Sequence, residues 1–444
     1  MKQFLIHNKA HHKSLLLLAG PMILSNITVP LLGIVDTAVI GHLGSAHYLA
    51  GIALGSAVIS ILFWLAGFLR MSTTGLVAQA YGKNDLTQLA ALLKRSLLLA
   101  SAVAVLLIVL SPLIKHAIAY LSAANGDVLN QAYQYFSIRI FSAPAALCNL
   151  VLLGWMLGVH YGRGPFYLLL VTNIVNIVLD IYFVVYLDWA VAGAAWASLI
   201  ADYTALVFAL FLVAKLAKKQ DIDLNVPNWL SISKMAELLS LNRDIFIRSL
   251  ILQLCFSFMT FYAARIGETT LAANAVLLNF LMLVSFALDG VAYASEAKVG
   301  QAKGQGSVKS IELWVKISVF WGMLFGVLYS LFFALFGNTI IKLLTNVPEV
   351  IQEATHYLPW IVVLPILAMS CFLFDGVFVG LTRAKNMRNS MILSAGVGFF
   401  GVFWVFIDLQ NNGLWLAMSC FMLMRGVTLI IKYHHLKINN QLLD

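Results

Sequence analysis

Long apolar runs alternate with short polar breaks along the whole chain. Twelve runs stand out, at about 15–40, 48–69, 90–112, 133–157, 165–187, 190–214, 244–264, 271–296, 313–336, 354–376, 387–408 and 412–433. Each reaches the roughly 20 residues that a helix needs to cross hydrocarbon. Strands of a membrane barrel would run about 10 residues with alternating polarity. The pattern therefore predicts an all-α membrane protein of twelve transmembrane helices.

The breaks are unequal. The longest, "KLAKKQDIDLNVPNWLSISKMAELLSLNR" at 215–243, divides the runs into six and six. It reads as a cytoplasmic linker between an N-lobe (1–214, helices 1–6) and a C-lobe (244–444, helices 7–12). Met235, Leu238 and Leu239 within it share a helical spacing, which places part of the linker flat on the membrane surface.

The two halves echo one another at an offset of 222 positions. "VAQAYG" (Val77–Gly82) aligns with "VGQAKG" (Val299–Gly304), both read as loops. Leu49, Ala50 and Ala53 align with Leu271, Ala272 and Ala275, and Lys94 with Lys316. Six spans is an even number, so both halves enter the membrane from the same side. A parallel repeat of this kind points to a transporter with its substrate site at the interface of the repeats.

Charge sharpens the picture. Charged residues make up 11% of the 444 positions and hydrophobic ones 61%, against about a quarter and a half in soluble domains. The net charge of +9 would suit nucleic acid if it were spread evenly, but it is not. With the N-terminus inside, the inner segments hold 21 lysines and arginines, the outer loops 3 and the spans 4. This is the positive-inside bias. It assigns both termini to the cytoplasm and explains the basicity without nucleic acid. The first apolar run is too long for a signal-peptide core, and no A-x-A site follows it, so no cleaved leader is expected. Cys148, Cys255, Cys371 and Cys420 all fall in apolar runs at spacings that fit no zinc site, as small buried hydrophobes do. The His pairs at 11–12 and 434–435 flank spans and are expected to be solvated.

Acids inside spans carry the functional signal, because an ionised Asp at a helix centre costs about 2.5–3.5 kcal/mol to insert. Six are predicted there: Asp36, Asp180, Asp202, Asp289, Glu296 and Asp375. In "NITVPLLGIVDTAVIGHLG", Pro30 removes the N–H that the Asn26 carbonyl would use and should kink helix 1 six residues before Asp36. Pro21 is a second point of bending. Asp36 then either takes up and releases a cation beside a hinge or is a structural acid paired to a basic residue such as Arg139.

In "TNIVNIVLDIYF", Asn173, Asn176 and Asp180 fall within about 60° on one helix face. Two amide oxygens and a carboxylate can bind a small cation, or they can join helices. Asp289 and Glu296 share a face of helix 8, and Asp375 lies on helix 10. These three are secondary sites, for ion or cationic substrate or for pairing with Arg248 or Arg265. Gly51-x-x-x-Gly55, Gly158-x-x-x-Gly162 and Gly322-x-x-x-Gly326 permit close helix packing. No H-E-x-x-H, G-x-S-x-G or Cys/His cluster is present, which argues against an enzyme.

"PLLGIVDTAVIGHLG", "VAQAYG" and "TNIVNIVLDIYFVVYLDWAVAGAAWAS" together resemble the multidrug and toxic compound extrusion (MATE) family. "LDGVAYASEAKVGQAKG" and "DGVFVGLTRAKNMRNS" resemble its DNA-damage-inducible F (DinF) branch. The resemblance covers about 14–436. It implies the two-lobe MATE/MOP fold, without a cofactor, rocking between inward-open and outward-open states. It also implies efflux of amphiphilic, often cationic small molecules in exchange for H⁺ or Na⁺. By position, Asp36 matches the family's first-helix coupling acid, and Asn176 and Asp180 match its fifth-helix partners. Ser198 stands where relatives often carry a Thr. Na⁺, if used, would sit at Asp36, Asn176 and Asp180. A monomer in the inner membrane is expected. The rival transporter reading is a lipid-linked precursor flippase of the same superfamily.

Overall fold

The computed structural model describes residues 8–41, 46–122 and 126–444, and side chains outside 27–47 and 121–125. The chain forms two compact units. One joins the residues up to Ile23 with Leu239–Asp444, and the other is Leu24–Leu238.

All the regular elements described are helical. They run α1 Lys9–Gly41, α2 Ala46–Leu65, α3 Phe68–Gly82, α4 Leu86–Val109, α5 Ser111–Ser122, α6 Gly126–Arg139, α7 Ala143–Gly158, α8 Arg163–Asp180, α9 Ala190–Lys219 and α10 Ile232–Ile266. They continue as α11 Glu268–Gly304, α12 Val308–Leu344, α13 Pro348–Gly380, α14 Ala384–Leu393, α15 Val402–Val405 and α16 Asn411–Ile438. Wide π-helical turns extend α8 through Ile181–Tyr186 and join α14 to α15 through Ser394–Gly401. Among the described residues, ten helical stretches are long and apolar enough to cross a membrane. The two remaining predicted spans fall on α1 and on the α14–α15 stretch.

The repeat seen in the sequence returns in the helix ends. Gly82 and Gly304, Leu86 and Val308, and Gly158 and Gly380 each stand 222 positions apart. Close packing repeats too. A Cβ on Gly154 would meet the Arg70 carbonyl oxygen at 2.6 Å, and one on the equivalent Gly376 would meet that of Ala292 at 2.5 Å. Only glycine lets α7 lie this close to α3, and α13 to α11. Of the three glycine pairs read from the sequence, Gly51 and Gly55 seat α2 on α6, and Gly322 and Gly326 seat α12 on α13.

Several expectations are corrected. "VAQAYG" and "VGQAKG" are helix ends, not loops: they close α3 and α11. In α3 the letters are polar, but Ser72, Thr73 and Thr74 are buried with their hydroxyls bonded back to the carbonyls of Leu69 and Arg70. The segment of Met235, Leu238 and Leu239 is the opening of α10, which continues without interruption to Ile266. His12 is buried rather than solvated, and its Nδ1 accepts from the Trp321 indole at 3.1 Å. His434 and His435 are exposed.

Within the first unit, α1 packs on α11 around Ala19 and Ile23. A Cβ on Gly290 would meet Ile23 Cγ1 at 2.4 Å. Helix α1 stays helical through both Pro21 and Pro30, and the boundary between the units falls two residues after Pro21.

Candidate functional site

Helices α8 and α9 build the polar patch of the Leu24–Leu238 unit. They meet as a hairpin whose turn is tightened by the wide π turn. Trp189 N–H donates to the Phe183 carbonyl at 3.0 Å, and the two rings stack at 5.1 Å. Gly193 allows α9 to touch the Phe183 backbone, since a Cβ there would stand 3.1 Å from its carbonyl carbon. Such π turns widen a helix locally and often mark functional sites. Here one begins directly after Asp180.

The hairpin brings Asn176 to Ser198. Asn176 Nδ2 donates to Ser198 Oγ at 3.1 Å. Asn176 and Asp180 are each 2% exposed, one turn apart. Asn176 Oδ1 is buried and has no hydrogen-bond partner among the described residues. A buried acceptor left unmatched costs about 1–3 kcal/mol, so this oxygen favours the arrival of a donor or a cation. Asn173, on the same helix, is half-buried. Ser198 keeps its oxygen in the patch and is half-buried as well. The side chains of Asp36 and Pro30 lie outside the described residues.

Arg139 does not depend on Asp36 for a partner. Its Nη1 donates to Asp202 Oδ2 at 2.7 Å and to Ser142 Oγ at 2.8 Å. These bonds surround the 3₁₀ turn Ile140–Ser142 that separates α6 from α7. Ser142 Oγ also donates to the Arg139 carbonyl at 2.7 Å, and Tyr203 Oη donates to the Phe141 carbonyl at 3.0 Å. Helix α9 therefore braces the interruption with two adjacent residues, Asp202 and Tyr203. The sequence placed Asp202 inside a span but gave no partner for it.

In the unit that contains the second half, Asp375 lies between two arginines. Its Oδ2 accepts from Arg248 and, at 2.7 Å, from Arg425. Arg425 also lies 5.4 Å from the Phe421 ring centre and donates to the Met422 sulfur at 3.3 Å. Asp375 is thus held in a charge cluster that spans α10, α13 and α16. Glu296 is buried and Asp289 half-buried on α11, and Gly376 and Gly380 bring α13 against this stretch.

The same unit holds a second polar joint that hydropathy did not reveal. Asn274 and Asn411 exchange side-chain hydrogen bonds at 2.7 and 3.0 Å, and the Trp415 indole donates to Asn274 Oδ1 at 2.9 Å. Every partner is matched, as expected of helix-joining asparagines.

The four cysteines are free thiols, and three of them are fully buried. Phe258, Tyr262 and Phe403 form an aromatic cluster with centroids 4.7–5.9 Å apart, whereas Trp64 is about half exposed. Among the described residues no three His, Cys, Asp or Glu side chains gather as a metal site. The oxygens of Asn176, Asp180 and Ser198 are of the hard type that alkali cations and protons both accept.

Comparison with known proteins agrees with this architecture. The MatE family profile matches residues 21–182 and 245–404. The chain is 46% identical to the DNA damage-inducible protein F of Escherichia coli K12, over 94% of this chain and 91% of that one. It is 26% identical to the multidrug and toxin extrusion protein 1 of Danio rerio, over 97% of this chain and 73% of that one. Its fold matches a crystal structure of a mutant of the Vibrio cholerae MATE transporter VcmN with a TM-score of 0.88. That match has 20% identity and covers 98% and 99% of the two chains. Members of this family are transporters rather than enzymes and need no cofactor. With the helical repeat, the family profile and these relatives in agreement, the chain belongs to the MatE family of multi-pass membrane transporters.

Proposed function

We propose that the protein is a secondary active antiporter of the inner membrane, exporting amphiphilic, often cationic compounds in exchange for H⁺ or Na⁺. The observation that carries this reading is the buried, unmatched Asn176 oxygen one turn from buried Asp180, beside a wide turn in the same helix. A cation entering there satisfies the amide and neutralises the carboxylate together. Asp36, which the family resemblance places as the coupling acid, completes the set. Asn173 and Ser198 border it.

Neutralisation can drive a conformational change only if the ion prefers one conformation. The wide turn after Asp180 and the prolines of α1 are the places where the backbone can respond. Asp375, Asp289 and Glu296 act in this reading as structural charges, since Asp375 is held by two arginines. The 21-to-3 distribution of lysine and arginine supports cytoplasmic termini, and in this reading the lobes are 1–214 and 244–444, joined by 215–243.

The test is dye export from proteoliposomes under separately imposed pH and sodium gradients. Asp36→Asn and Asp180→Asn are expected to reduce gradient-driven export of a lipophilic cationic dye to the level of protein-free vesicles while eluting as folded protein. Export at the wild-type rate by either variant rejects the coupling role. The gradient that drives the wild type names the ion.

A further inference from the structure

A groove in the Leu239–Asp444 part of the structure is lined by none of the acids discussed above, although its floor, Phe374, directly precedes Asp375. It has a volume of about 520 Å³ and opens between α12 and α16 over Phe374 of α13, within the range of sites that hold small molecules. Helix α12 contributes Glu312, Val315, Lys316 and Val319, spaced i, i+3, i+4 and i+7, which is one helix face. Helix α16 contributes Ile430, Tyr433, His434 and Lys437 at the same spacing. Two matching faces therefore form the walls. The floor is Phe374, whose ring meets that of buried Tyr433 edge-on at 5.8 Å.

The groove is graded in polarity. Its charged groups belong to the first turns of α12 and the last turns of α16. Its apolar groups, Val319 and Ile430, lie further in. Lys437 bridges to Glu312 at 2.9 Å. Lys316 is exposed and has no ion-pair partner among the described residues, and His434 is exposed beside it. The mouth thus carries an uncompensated positive charge above an apolar slot.

We infer that this groove binds an anionic glycerophospholipid of the leaflet nearest the C-terminus. Its phosphate would lie at Lys316, Lys437 and His434, and an acyl chain would run along Val319, Ile430 and Phe374. Basic pockets between helices at the membrane surface recognise anionic headgroups in this way. A cationic amphiphile would meet repulsion from Lys316, and a zwitterionic lipid would gain less at the mouth. The inference rests on the membrane-spanning fold alone, not on ion coupling or on the direction of transport.

Native mass spectrometry of the full-length protein in detergent tests it, by titration with phosphatidylglycerol, phosphatidylcholine and inorganic phosphate. Phosphatidylglycerol is expected to bind more tightly than phosphatidylcholine. Lys316→Ala should weaken phosphatidylglycerol about fivefold, the factor that corresponds to roughly 1 kcal/mol per surface lysine. Glu312→Gln, which releases Lys437, should tighten it. Val319→Trp, which fills the slot, should weaken it, and thermal unfolding confirms that each variant is folded. Equal affinity for the two lipids, indifference to Lys316→Ala, or weaker binding by Glu312→Gln overturns the assignment. So does displacement of phosphatidylglycerol by an equal concentration of inorganic phosphate, which would mark an anion site rather than a lipid site.

Discussion

Residues 46–158 and 268–380 fold as the same string of helices, but the first string is interrupted three times where the second runs through. The interruptions fall at Ala66–Gly67, at Leu110 and at Ile140–Ser142. Each adjoins a residue that disfavours helix: Gly67, Pro112 and Pro144. The equivalent positions are Asp289, Ala334 and Ile366. Glycine loses more backbone entropy in a helix, and proline removes a donor and crowds the preceding turn.

Composition alone does not decide the matter, because α13 contains Pro359 and Pro365 and remains one helix. At Ile140–Ser142, side chains occupy the backbone groups that a straight helix would pair. Tyr203 takes the Phe141 carbonyl, Ser142 takes the Arg139 carbonyl, and Asp202 holds Arg139. The interruption is a built joint. The halves differ in the same way in their charges. The acid of α13 is clamped by two arginines, whereas the patch at Asn176 retains an acceptor that is unmatched among the described residues. The first half has the joints and, beside its buried acid, an acceptor unmatched among the described residues; the second has long continuous helices and an acid paired to two arginines.

Removing charge from the clamped side should cost most. Asp375→Ala leaves Arg248 and Arg425 facing each other without a counter-ion, and breaking such a buried pair costs about 3–5 kcal/mol. Thermal unfolding in detergent should show a large fall in midpoint, and an unchanged midpoint would mean the cluster is not the anchor described. Glycine approach is the feature the halves share, so its loss should cost both alike. Gly154→Ala and Gly376→Ala each force a methyl against a carbonyl, worth about 1–3 kcal/mol of overpacking. A penalty in one and none in the other would break the equivalence. The joint comes last. Tyr203→Phe deletes one hydrogen bond, worth about 0.5–1.5 kcal/mol, and should leave the protein folded with faster amide exchange around 140–145. No change in exchange there would show that the brace is dispensable.

Most of the architecture was legible in the sequence because hydrocarbon enforces it. Apolar runs of fixed length, a charge bias and a constant offset are all consequences of folding in a bilayer. What escaped was polarity that is satisfied locally or at long range. "VAQAYG" read as a loop, yet it closes α3, whose polar Ser72, Thr73 and Thr74 bond back within their own helix. His12 read as solvated because its partner, Trp321, lies 309 positions away. Arg139 was open to pairing with Asp36 until Asp202, 63 positions on, was found beside it. At the candidate site, helical spacing sufficed to group Asn176 with Asp180. The hydrogen bond to Ser198 needed the turn at 181–189, and nothing in the periodicity specifies a π turn.

The coincident helix ends bear on ancestry. The described helix ends at Gly82 and Gly304, Leu86 and Val308, and Gly158 and Gly380 keep the 222 offset, so 82–158 and 304–380 are equal in length. A single insertion would have turned everything beyond it by about 100°, moving Gly154 or Gly376 off its neighbour. Length has therefore been held fixed while side chains drifted. A chimaera carrying 126–158 in place of 348–380 would preserve every register, and a half-length ancestor pairing with its own copy is the simplest origin of such a chain.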